Sequence, residues 1–353
     1  MGKLTAPTAR INPARFLPSF RRRAAPPLAR RAESAGFDRA AIWFGPHVPI
    51  RPHTRPATKG TTMKTQHFDV HQSITNTIVA AIERGAGEFR LPWHRSAGNA
   101  MCPVNVSSGK RYRGVNIVAL WAISDQHGYS SGRWGTYRQW AEAGAQVRKG
   151  ERAAYVAFYK EIVLTDEEDR RESRLVARAS PVFAAEQVDG YAAPTSDTAT
   201  SPMTPIEQAE AFVSRTGALI QHGGDRAFYR PANDQIVLPV REAFVGTPTI
   251  SPAEAYYATA FHELTHWTGH ESRCNRQLGK RFGDAAYAAE ELVAELGAAF
   301  LCADVGVSAE PRVDHAQYLE HWLRLMKGDK RAMFTAASKA SEAVAYLTAL
   351  QGG

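Results

Sequence analysis

His262-Glu263-Leu264-Thr265-His266, inside the longer run from Tyr256 to Gly269, decides how the second half of this chain is read. Residues four apart on a helix stand one turn above each other on the same face, so His262 and His266 can turn ring nitrogens toward one ion. Glu263, one position on, is placed to hold a water at that ion and take its proton, which makes it the catalytic candidate. Tyr256 to Phe261 leads in as an apolar helical run, Ser251-Pro252 offers a capping Ser followed by a first-turn Pro, and Thr268-Gly269 can stop the helix. Two histidines on an apolar helix also serve as plain core or interface residues, so the pentapeptide calls for a third ligand.

Glu290-Glu291-Leu292-Val293-Ala294-Glu295, with the apolar run Leu296 to Leu301 behind it, predicts a second helix. Three carboxylates beside Ala, Leu and Phe are costly to bury unless something neutralises them, and a metal is the natural candidate. Glu291 and Glu295 share a face; Glu290 points about 100 degrees away, as 3.6 residues per turn dictate. Glu291 is assigned as the third ligand and Glu295 as the carboxylate that accepts the far ring N–H of a liganding histidine. Glu290, which reads equally as a solvated surface residue, and Glu295 stay open as alternative ligands. An all-histidine site is excluded because position 272 is Ser, leaving His270 a capping or substrate-side group.

The formal charge of +8 is unevenly spread over the 353 residues. Residues 1–62 hold ten Arg and two Lys against Glu33 and Asp38, residues 63–180 hold 17 basic and 12 acidic side chains, and residues 181–353 hold 14 and 21. Such asymmetry suits a polyanion near the front of the molecule, although basic tails also act as plain solubilisers. Three widely spaced cysteines, Cys102, Cys274 and Cys302, exclude a disulfide framework and a cysteine-only zinc site and fit a reducing compartment. No run of about 18 uncharged apolar residues is found, so no membrane is expected.

Residues 1–62, rich in Pro and Arg without apolar period, predict a disordered basic leader, and Met63 opens a visibly different sequence. Val70, Ile74, Ile78 and Ile82 predict a helix; further helices are expected from Gly114 to Ile123 and from Thr136 to Ala143, and a strand pair at Ala153 to Val163 and Arg174 to Phe183. The first domain is set at 63–187, an interdomain linker at 188–204 and the second domain at 205–353. A helix from Pro205 to Arg215 and a hairpin around Pro231 to Asp234 open the second domain, and helix signals dominate after Ser251. The fold class is α+β, a mixed α/β N-terminal domain joined to a mostly helical C-terminal one.

The run His262 to His270, with Arg273, Arg276, Arg281-Phe282-Gly283, Tyr287 and Glu290 to Phe300, resembles the zincin-like metallopeptidase domain of polyvalent proteins. Ile74-Thr75, Ile82-Glu83-Arg84-Gly85, Pro92-Trp93, Tyr112-Arg113-Gly114-Val115-Asn116, Trp134, Gln139-Trp140 and Val147-Arg148-Lys149-Gly150 resemble the N-terminal domain of ArdC-like antirestriction proteins. Trp322, Leu325, Asp329 and Ala336 to Tyr346 fit as well. The resemblance implies a protein of a plasmid, phage or integrated element in a bacterial cytoplasm, with single-stranded DNA as partner of the N-terminal domain and zinc as cofactor. It also implies a host or element-encoded protein as substrate if the peptidase works. Proteolysis does not follow from the resemblance alone.

A binder of single strands needs cations for the backbone and aromatic faces for bases. Arg111, Arg113, Arg133, Arg138, Arg148 and Lys149 are the backbone candidates, and Tyr112 and Trp134, beside Gly and Arg in expected loops, are the stacking candidates. Trp121 and Trp140 fall on apolar helix faces and are assigned to the core. Tyr229, His270 and Arg273 are candidates for steadying an oxyanion. Three readings compete: a DNA-binding protein carrying a zinc metallopeptidase, a DNA-binding protection protein in which zinc is structural, and hydrolysis of some other bond, such as a phosphodiester, by the same ion, which the one-Glu, two-His set favours less than an amide.

Overall fold

The computed structural model describes residues 68–88, 91–96, 101–165, 171–193, 203–276, 285–309 and 316–352. The basic leader at 1–62, the hairpin loop at 166–170, the middle of the expected linker at 194–202 and the Arg281-Phe282-Gly283 motif lie outside them.

Helix α1 (Val70–Gly85) starts on Asp69, whose carboxylate accepts the Gln72 amide at 3.0 Å, and buries Val70, Ile74, Ile78 and Ile82, as their spacing of four requires. There follow β1 (Val104–Asn105), α2 (Val115–His127), β2 (Arg133–Gly135), α3 (Tyr137–Glu142), β3 (Gln146–Val147), the long strands β4 (Ala154–Thr165) and β5 (Arg171–Ala184), and β6 (Val188–Asp189). The main sheet runs β1-β2-β5-β4, with β1 parallel to β2 and the other neighbours antiparallel; β3 and β6 pair separately. Helix α2 begins after Gly114, which takes a left-handed φ of 58° and donates its amide to Ser341 Oγ at 3.0 Å.

The remaining elements are α4 (Pro205–Arg215), β7 (Leu219–His222), β8 (Phe228–Arg230), β9 (Gln235–Leu238), α5 (Pro252–Trp267), α6 (Ala285–Val305), α7 (Ala316–Gly328) and α8 (Ala332–Ala349). Strands β8 and β9 form the expected hairpin, while β7 lies parallel to β9 on its other side. Strand β7 has no counterpart in the sequence reading because its residues are mostly exposed, so no apolar alternation marks it. The architecture is α+β, mixed in the first part and predominantly helical in the second. Among the described residues no helix is long and apolar enough to cross a membrane.

One apolar interior serves both parts. Ile74, Ile78, Trp93 and Val118 share it with Phe261, Leu296, Trp322 and Met333. The Trp93 and Trp322 ring centres stand 6.1 Å apart, and Thr75 Oγ1 donates to the Lys330 carbonyl at 2.8 Å. Thr65–Gly353 accordingly forms one compact unit.

Helix α5 carries a full capping box at Ser251 and Glu254, with Pro252 in its first turn, and packs along α6. The two helices approach closely at Gly297, where a Cβ would meet Thr265 Oγ1 and Cγ2 at 2.6 Å. Thr265 is fully buried and donates to the Phe261 carbonyl at 2.8 Å, so it cannot swing aside cheaply. Gly297→Val is therefore expected to destabilise the protein by about 1–3 kcal/mol of overpacking, measured by denaturant unfolding. Unchanged stability would mean that the helices are free to separate.

Candidate metal centre

Along the α5–α6 contact His262 and His266 face Glu290, Glu291 and Glu295. The two Nε2 atoms lie 3.2 Å apart, and Glu291 offers one carboxylate oxygen to each, at 3.5 Å from His262 and 3.6 Å from His266. On the far side of each ring His262 Nδ1 meets Glu295 Oε1 at 2.9 Å and His266 Nδ1 meets Glu290 Oε1 at 3.2 Å. With a carboxylate against each Nδ1, the Nδ1 carries the proton and both Nε2 lone pairs are left pointing at a common centre.

Two lone pairs and a carboxylate, buried and converging, repel one another unless a cation or protons lie between them. Ligands about 2.0–2.2 Å from a tetrahedral ion are separated by about 3.3–3.6 Å, the spacing found here. The donor set thus fits a divalent ion, and His262, His266 and Glu291 are the residues that could hold it, their ligand atoms all within 4.8 Å of one another. Where protons take the ion's place on the imidazoles, the hydrogen bond from His262, the charges of both histidines and the Tyr287 hydroxyl outweigh the upward push of burial on the Glu291 carboxyl and bring it down to about 2.

Glu290 requires a correction. Instead of a solvated surface residue it is 7% exposed and backs His266. Arg276 Nε and Nη2 bind its two oxygens at 3.1 and 2.8 Å, a two-point pairing that makes burial of the carboxylate tolerable. Arg276 also donates to Thr268 Oγ1 at 2.7 Å and to the Thr265 carbonyl at 2.5 Å, tying the C-terminal end of α5 to α6. His94, from the segment before β1, brings Nε2 to 3.7 Å from Glu295 Oε2. Tyr287, one turn before Glu291, hydrogen-bonds to that carboxylate, and burial with the neighbouring Tyr318 and Glu291 raises its hydroxyl pKa. The arginine and tyrosine stand in the sequence as ordinary helix-flanking residues, and only the resemblance singles them out.

Glu263 is 3% exposed, between the two liganding positions on α5. The other expected groups have partners of their own. Tyr229 donates to Asp234 Oδ1 at 2.8 Å, Arg273 binds Asp234 Oδ2 at 3.0 Å and the Trp267 carbonyl at 2.7 Å, and its guanidinium lies 3.9 Å over the Trp267 ring. Both brace β8 against the end of α5. His270 Nδ1 bonds Ser272 Oγ at 2.8 Å and accepts the Ser272 amide at 3.2 Å, so it caps the turn after α5.

The nucleic-acid candidates divide in the same way. Trp134 is 1% exposed in the core beneath the main sheet, because β2 sits between β1 and β5; it is not a free stacking face, which corrects the loop expectation. Trp121 and Trp140 are buried as their helix faces predict. Tyr112 is half-buried with its hydroxyl on Asn105 Nδ2 at 3.3 Å. Arg111 is paired with Asp304, Arg138 with Glu142 at 2.7 Å, and Arg148 with Glu151 at 2.8 Å. Arg133 is half-buried; Arg113 and Lys149 are exposed. Arg113 opens instead onto a groove of about 740 Å³, lined also by His71, Tyr159, Arg331, Phe334 and Lys339. Tyr155 and Tyr159 rise from one face of β4, 38% and 53% exposed, with Phe68 against the first at 4.6 Å. The sequence signal for that row was the alternation of Tyr155, Ala157 and Tyr159 inside a strand already recognised.

Comparison with known proteins agrees with this geometry. Residues 207–339 match the family model of a zincin-like metallopeptidase, and residues 68–188 match the N-terminal domain of the anti-restriction factor ArdC. An uncharacterised protein, y4eC of Sinorhizobium fredii, is 45% identical over 298 residues, spanning 80% of this chain and 92% of its own. The DNA primase TraC of Escherichia coli is 35% identical over 302 residues, 80% of this chain and 20% of its own length. Among solved structures, the metal-free crystal structure of the antirestriction protein ArdC from plasmid R388 is similar with a TM-score of 0.66 and 38% identity, over 80% of this chain and 98% of that one. Its Mn(II)-bound form gives 0.65 and 35% identity, over 81% and 99%.

Proposed function

This chain belongs to the ArdC antirestriction family, and from that premise we propose that it shields DNA by occupying single strands and holds a divalent ion, zinc, at His262, His266 and Glu291. The observation that carries the reading is that a relative matched over nearly its whole length is an antirestriction protein, while a groove between the first part of this chain and α8 is suited to a single strand. Arg113, Arg331 and Lys339, the last also paired with Glu342, supply the cations, Tyr159 an aromatic face in the groove and Tyr155 a second on the same face of β4. In this reading the ion is a resident, non-catalytic part of the protein, braced by carboxylates on both sides. An N2O donor set takes zinc readily, and manganese less tightly by the usual order of affinities.

Combined charge reversal of Arg113, Arg331 and Lys339 is expected to weaken binding of a labelled oligonucleotide and to lower the salt slope by about 2, since each lost single-strand contact removes about 0.7. An unchanged affinity and slope would remove the groove from the assignment.

A second reading, hydrolysis of a peptide bond in a host or element-encoded protein, is favoured by one specific feature, the buried Glu263 beside a three-donor set. An ion bound there would polarise a carbonyl and make a water more acidic. Glu263 would hold and later deliver the proton as general base and acid, with the Tyr287 hydroxyl on the Glu291 side of the site. Glu263→Gln separates the two readings. Unchanged metal content, DNA binding and protection of incoming DNA support the first; retained metal and DNA binding with lost protection support hydrolysis.

A further inference from the structure

The two liganding imidazoles are backed in parallel ways. His266 leans on Glu290, and Glu290 is held by Arg276, from the loop directly after α5. His262 leans on Glu295, and the group beyond Glu295 comes from the other end of the chain: His94, 5% exposed, in the Leu91-Pro92-Trp93-His94 turn. His94 Nδ1 accepts the Leu91 amide at 3.1 Å, which places the ring proton on Nε2, the atom facing Glu295 Oε2 at 3.7 Å. The segment is itself pinned on two sides. Arg95 pairs with Asp125 of α2 at 2.7 Å, and its carbonyl accepts the Ala309 amide, just beyond α6, at 2.8 Å. Trp93 fills the space between with 0% exposure.

We infer that His94 is a positioning residue for the metal: its Nε2–H steadies Glu295, which fixes the proton on His262 Nδ1 and aims the His262 Nε2 lone pair at the ion. The centre is then completed by a residue from the region that matches the DNA-handling part of the family, and loading of the ion depends on how residues 91–95 are seated. This inference rests on the metal reading above.

The pair His94→Asn and His94→Gln in the full chain tests it. The asparagine amide can still accept the Leu91 N–H but places no donor at the Nε2 position; the glutamine amide reaches that position and keeps the donor. Affinity for Zn²⁺ and for Mn²⁺ is measured by competition with a chelator, beside the thermal midpoint of each metal-free protein. The expected result is a 10- to 100-fold loss of affinity for His94→Asn and a change of no more than about threefold for His94→Gln, with similar metal-free midpoints. Wild-type affinity in His94→Asn, or an equal loss in both variants, overturns the inference. Should His94→Asn fail to fold, His94→Gln decides alone, a tenfold loss there overturning it. If the wild-type protein takes up neither ion, the metal reading itself falls.

Discussion

Glu291→Gln is expected to abolish tight metal uptake while leaving the metal-free protein folded. The glutamine side chain keeps the shape of the glutamate but removes the negative charge and the only ligand that α6 offers to both Nε2 atoms. Loss of a direct ligand should exceed the roughly 100-fold that loss of a supporting group reaches. In the metal-free protein the amide can still hydrogen-bond to the imidazoles but gives up the attraction between the carboxylate and protonated histidines, so a loss of about 1–3 kcal/mol is expected, short of unfolding the protein. Melting with and without ion reads both effects. At an ion concentration of about 100 times the dissociation constant, binding should stabilise the wild-type protein by about 2.7 kcal/mol, and the variant should gain nothing measurable. A variant that melts and loads like wild type would take Glu291 out of the ligand set.

The largest effect on folding is expected from Arg276→Met. Removing the guanidinium leaves Glu290 buried against α5 without its two-point partner and strips a donor from Thr268 and from the Thr265 carbonyl. Breaking a buried pair from one side costs about 3–5 kcal/mol. The pH dependence has a definite sign. Burial raises the Glu290 carboxyl, but the hydrogen bonds and charges of His266 and Arg276 hold it below its ordinary 4.5. The stabilisation is therefore fully present above about pH 4.5 and is lost as pH falls through the lowered value. In Arg276→Met the burial contribution loses its main opponent, Glu290 takes up a proton more readily, and the gap to wild type should narrow on acidification. Denaturant unfolding at pH 7 and pH 4 checks this. Adding Glu290→Met should recover much of the loss, and failure to do so would mean that Arg276 acts through Thr268 and the α5 terminus instead.

What the sequence made legible follows the periodicities. Helix α1 shows itself through Ile74, Ile78 and Ile82, the α5 start through Ser251-Pro252, and the shared face of Glu291 and Glu295 through their spacing of four. Glu290 escaped because a helical wheel describes one helix alone. Two imidazoles stacked a turn apart expose their Nδ1 atoms on different sides, and only the facing of α5 on α6 determines which carboxylate reaches each. His94 escaped for a stronger reason: nothing periodic links a turn before β1 to a helix near the end of the chain. Trp134 misled because Gly and Arg neighbours suggest a loop, whereas a strand of three residues can be wholly interior when strands flank it on both sides. Sequence proximity also does not show whether an arginine already has its carboxylate, as Arg111 has in Asp304 and Arg148 has in Glu151.

The common interior of the two parts bears on how such a gene can be inherited. A cut between the first helices and the later ones would bare Trp93 on one fragment and Trp322 on the other, and would strand His94 away from the ion it serves. Each half would then expose apolar surface that the other covers in the intact chain. The match to TraC keeps both parts together, 80% of this chain against 20% of that protein.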